Sequence, residues 1–248
     1  MVDVAGGGIQ LVIDVRDGAR ITSLIAHDRE WLAPSRPRED GESFVAAGTG
    51  GWDEIAPTVG ACVLADGTEM RDHGDAWRQP WHVEGNTMSV YLPTVGVTLH
   101  RTISATPVGL RFDYKATTES ESPVPFLWAL HPLFDATAGL RVVATGALIN
   151  DEGSRVNWPS TTERGTAIKA FASGLAVASV VTPDGRALHM SWSLPHVGFY
   201  WDDGVYSDGP VIAIEPTTGR SDFASQVWDH LPTVRAGRPL TWWVEITP

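Results

Sequence analysis

Apolar residues recur at every second position along several short stretches of the chain. Gln10 to Val15 reads QLVIDV, Val95 to Ile103 reads VGVTLHRTI, and Leu110 to Ala116 reads LRFDYKA. Successive side chains of a strand point to opposite faces, so this spacing predicts strands with one face buried and the other solvated. Leu140 to Val143, Leu175 to Val181, Ala187 to Trp192, Val211 to Ile214 and Leu240 to Ile246 are further candidates. Turn signals separate them, among them Asp17-Gly18, Asp66-Gly67, Pro183-Asp184-Gly185, Asp203-Gly204 and Asp208-Gly209. No window of about 11 residues shows a helical apolar face, and 25 glycines and 17 prolines interrupt most candidates. The pattern predicts an all-β, antiparallel sandwich, with the charged, proline-containing stretch Pro34 to Ser43 as a surface loop. Residues 1–248 are expected to form a single domain, since all-β sandwiches of roughly 200–250 residues commonly do.

Composition narrows the partners. A formal charge of −12, from 30 acidic and 18 basic residues, repels nucleic acid and anionic lipid, so neither is expected as a partner. The only lysines are Lys115 and Lys169, and the arginines are scattered. Cys62 is the only cysteine, so no intrachain disulfide forms; it is expected as a small buried hydrophobe. The segment Met1 to Gly8 has neither a basic nor an apolar leader pattern, and no run of about 18 apolar residues occurs, so a cytoplasmic monomer or homodimer is the expectation.

Eleven tryptophans are many for this length. Trp192, Trp242 and Trp243 are expected to fill the core. Trp52, Trp77, Trp81 and Trp128 fall beside polar motifs, where a flat aromatic face suits the C–H face of a sugar. For Trp52 and Trp77, ligand contact and core filling both remain open.

Three motifs carry chemistry. The first runs Gly50-Gly51-Trp52-Asp53-Glu54-Ile55-Ala56-Pro57 and continues in Asp72-His73-Gly74-Asp75-Ala76-Trp77-Arg78; the second is Trp128-Ala129-Leu130-His131-Pro132-Leu133-Phe134; the third is Ile214-Glu215-Pro216-Thr217-Thr218-Gly219-Arg220-Ser221-Asp222. In this order, after an opening phrase Asp17 to Leu24, they resemble the aldose 1-epimerase, or galactose mutarotase-like, family over nearly the whole chain. The resemblance implies a β-supersandwich with a shallow sugar cleft on one sheet. It also implies interconversion of the α and β anomers of a hexose, with no cofactor and no metal. Metal ligation of the cupin kind has no support, because no H-x-H pair occurs.

Anomer exchange opens and recloses a hemiacetal ring, which requires one base and one acid. By resemblance Glu215 is the base, His131 the acid, and His73 holds a hydroxyl or assists the acid. The two main groups are expected to face each other across a ring-sized gap, with the imidazole titrating near neutrality. Asp53, Trp52, Trp77 and Arg78 are candidate sugar contacts. Arg71 and Arg78 flank His73, so an anionic hexose such as a hexose 6-phosphate is the alternative substrate; a sugar-binding protein without turnover is another. The chain departs from galactose mutarotases where those carry an Asp-His-x-Phe phrase. Its nearest counterpart is Ile168-Lys169-Ala170-Phe171, so that Asp is either missing or supplied from elsewhere in the chain, and galactose or glucose is not presumed.

Overall fold

The computed structural model describes residues 1–39, 41–46, 48–150, 153–157 and 164–248. Nearly all regular structure among them is strand, with one short helix, Ala224–Val227, and 3-10 turns at Ala76–Arg78 and Trp228–His230. The strands form two large antiparallel sheets, one of 12 strands and one of 8. Across the larger sheet lie, in order, Val2–Gly6, Ile9–Asp14, Arg20–Ala26, Trp52–Ile55, Ala129–Pro132, Pro210–Thr217, His196–Asp203 and Thr166–Ser173, before two short strands at the edge. The smaller sheet is centred on Ala187–Trp192, Leu240–Thr247, Gly109–Thr117 and Val97–Thr106.

The alternating segments behave as their pattern requires. In Ile9–Asp14 the residues Ile9, Leu11 and Ile13 are buried, and Val97–Thr106 buries Val97, Leu99, Arg101 and Ile103. These inward rows from both sheets meet in one cluster with Leu24, Phe112, Trp192 and Val244. Each such aliphatic or aromatic side chain contributes roughly 1.5–3 kcal/mol on burial. The ring of Trp52 stacks on Phe112 with centroids 5.1 Å apart, joining one sheet to the other.

Three expectations are corrected. Trp242 and Trp243 are consecutive on one strand and cannot both face the core. Trp242 stacks on Tyr114 at 5.4 Å, whereas Trp243 lies on the outer face under the Arg111 guanidinium. Cys62 is only half-buried, on a two-residue strand paired to Glu69–Met70. The Pro34 to Ser43 segment is irregular where described, yet it sends the Arg38 side chain inward to Asp53 at 6% exposure, so it is more than a surface loop.

Alternation does not predict Trp52–Ile55 or Ala129–Pro132, and it predicts only the middle of Pro210–Thr217. These strands sit in the middle of the larger sheet and are buried on both faces. One face meets the other sheet and the second is covered by loops, which removes the polar half of the pattern. No helix among the described residues is long and apolar enough to cross a membrane.

Candidate active site

The loop-covered face of the larger sheet carries a row of polar side chains, and strand register places them. Asp53 pairs with His131 across Trp52–Ile55 and Ala129–Pro132. Ala129 pairs with Thr217 and Phe134 with Ile212, which sets His131 opposite Glu215 between them. Glu215 in turn pairs with Gly198, and Gly198 with Phe171. Pro132 and Pro216 have no N–H to give, so the ladder between these two strands is thin at this point. Side-chain and backbone bonds from the third motif compensate: Thr217 Oγ1 donates to the Trp128 carbonyl at 2.8 Å, and the Trp128 N–H donates to Thr218 Oγ1 at 2.8 Å.

His131 Nε2 stands 3.9 Å from Glu215 Oε1, with both residues almost wholly buried. They are therefore side by side, as opposed residues on adjacent strands must be. The expected ring-sized gap between them does not exist; His131 lines the cleft and Glu215 lies beneath it. His131 also does not titrate near neutrality. Burial, and then the neighbouring His73 and Lys169, lower its pKa to about 3. Its Nδ1 and Glu215 Oε1 have no hydrogen-bond partner among the described residues.

Lys169 completes the floor. Its ammonium contacts Glu215 Oε2 and lies 3.4 Å from Asp222 Oδ1, with the rings of Phe171 and Tyr200 each 5.7 Å away. Burial works against its charge, but Asp222 and Glu215 outweigh it and raise the pKa above the ordinary lysine value. Gly198 makes this reach feasible. A Cβ there would stand 3.3 Å from both Glu215 Oε2 and Lys169 Cε, tighter than most real contacts. Sequence reasoning passed over Lys169 as a site residue, although it was one of two lysines and stood in the departing phrase; Gly198 carried no signal.

His73 arrives from a loop. Its φ is 57°, its N–H donates to the Val59 carbonyl at 2.7 Å, and the following Gly74 passes so close to Ala56 that a Cβ would meet the Ala56 carbonyl at 2.1 Å. The ring so placed stacks on Phe44 at 3.7 Å, lies 5.7 Å from the His131 ring, and has Nδ1 2.9 Å from Asp72 Oδ2. Above these groups opens a cleft of about 450 Å³, lined by Phe44, His73, His131, Lys169, Tyr200 and Phe223 among others. That volume lies within the usual range for small-molecule sites, about 300–1,000 Å³.

The other expected contacts are elsewhere. Trp52 has no exposed surface and belongs to the core. Asp53 is adjacent to His131 but is held by Arg38 and Arg20, which outweigh burial and lower its pKa. Trp77 is buried behind Phe44, in edge contact at 5.2 Å, with Arg38 on its face. Arg78 covers Trp77 from outside and lines a separate shallow hollow with Asp14 and Glu42. Arg71 is exposed and does not line the cleft. Among the described residues no group of three His, Cys, Asp or Glu side chains is arranged to hold a metal ion.

No protein-family profile and no curated protein sequence matches the chain. Solved structures do. The Slr1438 protein from Synechocystis superposes with a TM-score of 0.78 at 16% identity, over 99% of this chain and 94% of that one. A galactose mutarotase-like protein from Lactobacillus casei gives 0.72 at 18% identity, over 100% and 99%. The fold is galactose mutarotase-like. A galactose 1-epimerase from Lactobacillus acidophilus, at 0.65 and 12% identity over 98% and 92%, shares it. At such identities the likeness speaks for the mutarotase-like fold alone, and chemistry has to be argued from the side chains.

Proposed function

We propose that this protein is an aldose 1-epimerase that interconverts the α and β anomers of an uncharged aldose. The observation that carries the reading is the His131–Glu215 pair, 3.9 Å apart, with His131 lining the cleft and Glu215 directly beneath it. In a pyranose, O1 and the ring oxygen O5 are attached to the same carbon, so two adjacent groups on one wall can serve both. Glu215 Oε1 accepts the O1 proton as C1=O forms and the C1–O5 bond breaks. Neutral His131 has no spare proton, so its Nε2 takes the proton from the facing Glu215 Oε1 and passes it to O5, which leaves the open-chain aldehyde neutral and the site in its starting state. Rotation about C1–C2 and the reverse transfers close the other anomer. Each proton transfer of this kind is typically worth about 10²–10⁴ in rate.

A sugar-binding protein without turnover is the second reading. It is favoured by the engagement of Glu215 Oε2 with Lys169 and by the low pKa of His131. Saturation-transfer NMR between the α and β signals of a bound sugar separates the two. Exchange above the solvent rate, lost in Glu215→Gln, supports the enzyme; binding without exchange for every aldose tried supports the silent reading. An anionic hexose loses its expected contacts, since Arg71 and Arg78 both lie outside the cleft.

A further inference from the structure

Glu215 has almost no exposed surface, and a carboxylate so buried gives up its charge unless a cation stands beside it. The charged and titratable groups around it are His131 on Ala129–Pro132, Tyr200 on His196–Asp203, Lys169 on Thr166–Ser173, and Asp222 in the loop that follows its own strand. His73 lies beyond the His131 ring, and Asp53 pairs with His131 on the neighbouring strand. His131 is neutral, so Lys169 is the cation in contact with Glu215 among the described residues. It reaches Glu215 across an intervening strand. Phe171 pairs with Gly198 and Gly198 with Glu215, so the lysine stem, two residues from Phe171, passes over the bare backbone of Gly198.

Two consequences follow from that contact. Oε2 is tied down, which leaves Oε1 beside His131 Nε2. Asp222 Oδ1 lies 3.4 Å from the same ammonium, so its charge is shared between two carboxylates. A cation given wholly to Glu215 would weaken it as a proton acceptor, whereas a shared one leaves it ionised and still basic. We propose that Lys169 is the positioning residue of this site: its ammonium keeps Glu215 ionised and fixes Oε2, which turns Oε1 to His131, while Asp222 moderates the charge so that Glu215 can still take a proton. The role rests on the anomer-exchange reading, and it makes the lysine contact a condition for turnover.

The test is a pH series of anomeric exchange in two variants. Lys169→Met removes the charge and keeps most of the bulk of the stem. The acid limb of its rate profile is expected to move up by about 1–3 pH units. Exchange then falls about tenfold or more at the acid end and returns to within a few fold of wild type at the alkaline end. Asp222→Asn gives the whole ammonium to Glu215 and is expected to move the same limb down. General damage to the fold does not produce displacements of opposite sign. Limbs that stay in place, or that move in the same direction, overturn the proposal; should Lys169→Met not fold, the sign of the Asp222→Asn displacement decides alone. A second readout needs no turnover. The Glu215 carboxyl carbon, followed by NMR in protein labelled at the glutamate carboxyls and assigned by its absence in Glu215→Gln, is expected to titrate at higher pH in Lys169→Met and at lower pH in Asp222→Asn. If that signal moves as expected while no aldose shows exchange, the anomer-exchange reading fails and the hold of Lys169 on Glu215 stands. If neither limb nor signal moves, the proposal fails, whether or not exchange occurs.

Discussion

Glu54 and Glu215 are both buried carboxylates on central strands of the same sheet, each paired with a cation, and they face opposite ways. Glu54 points between the sheets. Its Oε1 accepts from Arg101 at 2.9 Å and from the Tyr114 hydroxyl at 2.8 Å, while Oε2 accepts from Trp128 Nε1 at 2.8 Å. Glu215 points to the cleft side, with Oε2 on Lys169 and Oε1 beside His131 without a hydrogen-bond partner among the described residues. A carboxylate with both oxygens engaged in the interior holds structure together, whereas one with an unpartnered oxygen beside a cleft-lining imidazole is a candidate for chemistry. The difference therefore lies in the second oxygen and not in burial.

Four experiments break or sharpen this contrast. Glu54→Ala leaves Arg101 buried without its partner and is expected to lower unfolding free energy by about 3–5 kcal/mol, read by urea denaturation. A loss within 1 kcal/mol would dissolve the distinction from the structural side. Glu215→Gln is expected to slow anomeric exchange by about 10²-fold, close to 2.7 kcal/mol in the barrier, with sugar affinity within a few fold. Exchange at the wild-type rate would remove Glu215 from the chemistry.

The third experiment is a pH series. The folded-state pKa of His131 lies below its unfolded value, near 6.5, so the unfolded chain binds more protons between about pH 3 and pH 6.5. Its contribution to stability is thus present above pH 6.5 and falls as pH drops. Between pH 6.5 and pH 5 the loss is up to about 2 kcal/mol. His131→Asn should show a shallower acid slope than the wild type; parallel slopes would mean that His131 is not held neutral. The smallest effect is expected from Gly198→Ala, whose methyl crowds Lys169 away from Glu215. Exchange should fall by about tenfold, or roughly 1.4 kcal/mol, with little change in melting temperature. An unchanged rate would make the lysine contact dispensable.

The legibility of the chain varied with position in the sandwich. Ile9–Asp14, Gly109–Thr117 and Ala187–Trp192 could be read from spacing because one face of each meets the core and the other meets water. The HP and I-E-P phrases singled out His131 and Glu215, and the fold does bring them together. Their side-by-side placement was not legible, because it depends on the pairing of Ala129 with Thr217, residues 88 positions apart. The place of Trp52, open in the sequence between ligand contact and core filling, was decided in the same way, by a strand orientation that turns Asp53 to the cleft side and Trp52 and Glu54 to the interior.

Alternation, turn residues and motif order by themselves determined an all-β antiparallel chain with a histidine and a glutamate as its chemical candidates, since those features depend on near neighbours and residue type. Tertiary structure alone decided that Lys169 reaches Glu215 over Gly198, that Arg71 and Arg78 stay outside the cleft, and that His131 is neutral. Those outcomes depend on register, burial and the charges that distant strands bring within a few ångströms, and none of the three is a property of any short stretch of sequence.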